Sequence, residues 1–124
     1  MEKISTEKAP KAIGPYSQAV KAGNLVFCAA QIAMHPETNE LIEADIEKQT
    51  KQVIENLKNV LEAAGSSLDN AIKVNVYLKD INDFQKMNKI YEKFFASKPA
   101  RTTIQAAGLP KDALILIDVI SELK

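Results

Sequence analysis

KPARTTIQAAGLPKDALILIDVISELK, residues Lys98–Lys124, reads as two strands joined by a turn at Gly108–Pro110. Alternation puts Arg101, Thr103 and Gln105 on one face of the first strand and Thr102, Ile104 and Ala106 on the other. In the second strand Leu114, Leu116 and Asp118 oppose Ile115, Ile117 and Val119, so neither face can be left in water. Arg101 has no acid near it in sequence. A lone arginine at the mouth of a buried strand is a candidate anion receptor, because the guanidinium fork matches a carboxylate. The pair is therefore expected to form a buried hairpin that presents Arg101.

Upstream, Pro99 stops a helix that Asn82 or Asp83 caps and that runs to about Phe95. Phe84, Met87, Tyr91, Phe94 and Phe95 form its apolar stripe, with Asn88 beside it, and such a stripe is ordinarily core. Ile72–Leu78 alternates cleanly: Ile72, Val74, Val76 and Leu78 share a buried face, opposite Lys73, Asn75 and Tyr77. From Asp45 to Ala64, apolar residues recur at three- and four-residue spacings, which predicts an amphipathic helix that Gly65 ends. Tyr16–Lys21 and Leu25–Ala30 flank a short Gly/Asn loop as a hairpin. Leu25–Ala30 is apolar throughout, as expected of a central strand covered on both faces. The bend at Gly14-Pro15 holds Tyr16 where it can serve as the wall of a pocket.

These elements predict an α+β domain spanning 1–124, with a single mixed β-sheet and two α-helices on one face, in the order ββαβαββ. An additional N-terminal edge strand is allowed near Ile4. Two helices cover one face only, yet several strands are apolar on both. Copies of the chain are therefore expected to bury the second face as a homo-oligomer.

Composition narrows the function. Sixteen Lys+Arg balance sixteen Asp+Glu, which lacks the basic footprint of a protein built on phosphate contacts. Nucleic acid is thus an unexpected partner. One cysteine, Cys28, suits a reducing, cytoplasmic compartment and reads as a small core residue. No apolar run reaches the length of a membrane span or signal-peptide core, so no membrane is expected. The single histidine, His35, sits in a polar loop without a paired base, and no metal site is expected.

The chain resembles the RidA family, also called YjgF or L-PSP, over essentially its whole length. The resemblance rests on AIGPYSQAV at Ala12–Val20, Gln31-Ile32, NDFQKMNKIYEKFF at Asn82–Phe95, KPAR ending at Arg101, and LPKDALILI at Leu109–Ile117. It implies a chorismate-mutase-like fold and a homotrimer with sites at subunit clefts. It also implies hydrolysis of short-lived 2-imino or enamine acids to 2-keto acids and ammonia, with no cofactor. Arg101 aligns with the family's carboxylate-binding arginine, Tyr16 with a pocket wall, and Asn88 with a residue near the site.

The sequence departs from the pattern at the positions expected to do chemistry. The family's acid aligns with Leu116, its cysteine with Thr103, and its Ser-Gly pair with Ala29-Ala30. Asp118, the only acid on the strand face that carries Leu116, is the candidate compensating acid. A threonine hydroxyl at 103 can still hold a water. The expected substrate contacts are therefore Tyr16, Ala29, Ala30, Asn88, Arg101, Thr103 and Leu116, with Arg101 and Thr103 closest to the reaction. Three functions follow. The first is a 2-iminobutanoate/2-iminopropanoate deaminase, impaired by Leu116. The second is a non-catalytic or altered-substrate trimer that binds a small carboxylate or 2-keto acid. The third is the endoribonuclease or translation inhibitor of the older family label.

Overall fold

A computed structural model describes all 124 residues. Its elements are β1 (Glu2–Ile4), β2 (Ala19–Ala22), β3 (Leu25–Gln31), α1 (Ile46–Ala63), β4 (Ala71–Leu78), α2 (Phe84–Phe94), β5 (Ala100–Gln105) and β6 (Ile115–Glu122). They build one six-stranded mixed sheet in the order β1-β2-β3-β6-β4-β5. Every pairing is antiparallel except β4–β5, whose parallel partners need the crossover that α2 supplies. The α+β class and single sheet are as expected, and the edge strand at Ile4 is present.

Helix α1 forms where the apolar period predicts it. Asp45 caps it, its side chain accepting from the Lys48 N–H at 2.9 Å. At the other end Ser66 N–H bonds Leu61 O and Gly65 N–H bonds Glu62 O, with Gly65 at φ +86°, the αL geometry that glycine adopts without strain. Val53, Ile54, Leu57, Val60 and Leu61 are fully buried against the sheet face that carries Val26, Val74, Val76, Ile115, Ile117 and Val119. The other sheet face has no helix. There Phe27 and Ile104 are exposed, and Tyr77, Leu116, Asp118 and Ile120 are half-buried.

Three expectations need correction. Residues 98–124 do not form a hairpin, because β4 inserts between β5 and β6. Sequence neighbours usually pair, but the parallel β4–β5 ladder is the alternative once a helix bridges the two strands. Nor is the strand bearing Arg101 buried: β5 is the sheet's outer edge and is largely exposed. Finally, Ile72 is exposed, because the β4–β6 register shifts between Ala71 and Lys73 and turns it away from the core.

Candidate functional site

The expected residues fall into two groups. The first lies where β5 meets α2. Arg101 pairs in register with Val74 and Thr103 with Val76, so both point to the helix-covered face. Helix α2 presents Phe84, Asn88 and Tyr91 to them at positions i, i+4 and i+7, one stripe of a 3.6-residue helix. Arg101 Nη1 donates to Asn88 Oδ1 at 2.6 Å. Its guanidinium carbon lies 4.6 Å from the Tyr91 ring centroid and 5.3 Å from that of Phe84. No carboxylate pairs with Arg101.

Two buried hydroxyls beside this arginine have no hydrogen-bond partner, Tyr91 Oη and Thr103 Oγ1. Tyr91 also stacks on Phe95 at 4.5 Å. Burial raises the Tyr91 phenol above its usual range, and the Arg101 charge opposes that shift. Tyr91 and Phe84 belong to the core as their stripe predicts, and their hold on the arginine emerges only in the fold. Their shared helical stripe with Asn88 was the available signal.

The second group lines a cavity of about 400 Å³ beside the central strands β3 and β6. Tyr16, Ala30 and Leu116 all line it, with Ile13, Lys11 and Lys111 among their neighbours. Tyr16 stands on the Gly14-Pro15 bend, and Gly14 at φ +121° makes that bend. The chain before it is tied down by Gln18, whose Nε2 donates to Pro10 O at 2.8 Å and whose Oε1 accepts from Thr6 N–H at 2.6 Å. A register shift between Cys28 and Gln31 displaces Ala29 and Ala30 from the ladder and brings Ala30 to the cavity, while Ala29 does not line it.

Asp118 lies outside the cavity and accepts from Asn75 Nδ2 at 2.8 Å. Cys28 is buried on the helix side, and burial first, then the Asp118 charge, push its thiol up to about 12. His35 is exposed in its loop, its Nδ1 accepting from Glu37 N–H at 3.2 Å. No group of three or more metal-ligating side chains gathers anywhere.

Within one chain the two groups are far apart. Ala30 is on β3 and Arg101 on β5, with β6 and β4 between them. Three strand spacings separate them by roughly 14 Å. Leu116 and Arg101 also point from opposite faces of the sheet.

The family model described as Endoribonuclease L-PSP matches residues 6–123. A RutC family protein of Pyrococcus horikoshii is 58% identical, over 97% of this chain and 96% of its own. The 2-iminobutanoate/2-iminopropanoate deaminase of Escherichia coli is 43% identical, over 95% and 94%. Among solved structures, the E. coli YjgF gene product superposes with a TM-score of 0.94 at 41% identity, covering 100% of both chains. E. coli TdcF, solved with bound serine, gives a TM-score of 0.94 at 39% identity, again covering 100% of both.

Proposed function

The chain belongs to the RidA (YjgF/L-PSP) family, and we propose that it is a deaminase of 2-imino acids that releases 2-keto acids and ammonia. The observation that carries this reading is the Arg101 guanidinium. It is held by Asn88, Tyr91 and Phe84 and has no carboxylate of its own. Such a cation is oriented before a ligand arrives, so little ordering remains to be done on binding. The serine bound to TdcF is a carboxylate of the same size class.

On this reading the substrate carboxylate takes the free edge of Arg101, and backbone N–H groups of the exposed β5 edge near Thr103 donate to its second oxygen. An imine carbon is already electrophilic. Water adds to it, a proton passes to nitrogen, and the C–N bond breaks to release ammonia. Thr103 shares the strand face of Arg101, and its buried hydroxyl has no hydrogen-bond partner within the chain.

Neither half of the site suffices alone. A cyclic homotrimer that sets the Arg101 half of one subunit against the Tyr16 half of the next makes one cleft from the two. It also buries Phe27, Ile104 and the rest of the uncovered sheet face. We take residues 1–124 as one domain, and the cytoplasm, a reducing compartment, as its place.

A specific feature favours a second reading, a carboxylate-binding trimer without turnover. The Tyr16 cavity has no acid to activate water, and Leu116 is part of its apolar lining. A coupled assay separates the two. Threonine dehydratase generates the imine, and 2-keto acid is followed with this protein and with Arg101→Ala. Faster release by the wild type alone supports the deaminase. Equal rates, with saturable binding of 2-ketobutyrate by calorimetry, select the binder.

A further inference from the structure

We infer that the Tyr16 cavity selects ligands bearing a second, distal carboxylate, that is, 2-imino or 2-keto dicarboxylic acids. This rests on the proposed reading that Arg101 takes the first carboxylate. The observation is electrostatic. Twelve residues line the cavity; two of them, Lys11 and Lys111, are cationic and none is acidic. The chain as a whole has no net charge, so this excess is local. Neither lysine has an ion-pair partner. The nearest acid in sequence, Asp112, is already paired with Lys79 at 2.8 Å and leaves Lys111 uncompensated.

Both lysines sit on anchored backbone. Lys11 N–H donates to Asn39 Oδ1 at 3.1 Å, and the carbonyl of Pro10 before it is held by Gln18. Lys111 and Asp112 occupy the left-handed region in succession, at φ 55° and 58°, inside the turn that begins at Pro110. Lys11 and Lys111 therefore bring their charges to the cavity wall from fixed backbone on different segments. Ile13, Ile32, Met34 and Leu116 contribute apolar wall, which lowers the local dielectric and strengthens attraction for an anion. An apolar tail satisfies the walls but leaves both cations unmatched. A short chain ending in a carboxylate satisfies both.

The test is calorimetric titration of the full chain at low ionic strength with 2-ketobutyrate and with 2-ketoglutarate. Wild type is compared with a Lys11→Gln, Lys111→Gln double variant and with Arg101→Ala. Wild type should bind 2-ketoglutarate about tenfold more tightly, and the double variant should lose most of that ratio, at roughly three- to fivefold per exposed cation. Parity in the wild type, or a preference that survives the double variant, overturns the inference while leaving the Arg101 reading intact. Binding of neither acid, or binding indifferent to Arg101→Ala, overturns both. Because both lysines are exposed, their replacement leaves the core unchanged.

Discussion

Arg101 Nη1 donates a 2.6 Å hydrogen bond to Asn88 Oδ1, tying the edge strand β5 to helix α2. The acceptor is neutral, so the bond orients the guanidinium without cancelling its charge. An aspartate in place of Asn88 would orient it and neutralise it together. Asn88 is thus a positioning residue for Arg101, in addition to any contact with ligand.

Replacing Asn88 by Ala should raise KM, or the Kd for 2-ketobutyrate, about tenfold, the worth of one hydrogen bond to a charged group. The effect on kcat should be smaller. Asn88→Asp should weaken binding further although it keeps the bond. Steady-state kinetics or calorimetry on the two variants checks the order. Equal behaviour of the two would show that Asn88 does not act through the arginine.

Tyr91 separates stacking from hydrogen bonding. Its hydroxyl is buried without a partner, so Tyr91→Phe should be neutral or modestly stabilising. Tyr91→Ala removes the stack on Phe95 and the surface under Arg101, and should cost about 3–5 kcal/mol in urea denaturation.

Cys28 predicts an alkaline loss of stability. Burial disfavours its thiolate and raises its pKa from 9.0 to about 12 in the fold. An unfolded chain releases this proton near pH 9 while the folded chain keeps it. The contribution is therefore complete below pH 9 and is lost as pH climbs toward 12, by up to about 4 kcal/mol. Denaturation midpoints between pH 8 and 11 should fall, and Cys28→Ala should flatten the fall. The same burial should leave the native thiol inert to a thiol reagent at pH 8.

Leu116→Glu places a carboxylate in the cavity that lysines 11 and 111 overlook. Turnover of a monocarboxylate imine should rise, since the new acid can position water. Affinity for 2-ketoglutarate relative to 2-ketobutyrate should fall by several-fold through like-charge repulsion. The coupled assay and paired titrations measure the two effects on one preparation.

Much of the fold was legible because its signals are local. The 3.6-residue period marks α1, alternation marks β4 from Val74 onward, and Gly65 marks a helix end with its own backbone geometry. What failed depended on non-local pairing. Nothing within residues 98–124 reports that β4 comes between its two strands, and nothing around Ile72 reports the register shift that exposes it. The site divides the same way. Arg101 stood out as an unpaired cation, whereas Tyr91 looked like core because its face serves packing and arginine alike. Lys11 and Lys111 are 100 positions apart in sequence, and only the fold brings them to one cavity.

On the proposed reading, one subunit's Arg101 half meets another's Tyr16 half. The direct measurement mixes two defective chains. Arg101→Ala removes the cation, and Ala30→Trp fills the cavity. Each assembled alone should bind no 2-ketobutyrate by calorimetry. Unfolded together at equal amounts and reassembled, they should recover about one quarter of the wild-type sites, the share of clefts that draw an intact half from each chain. Mixed assemblies with no recovered sites would contradict the claim and place the whole site within a single chain.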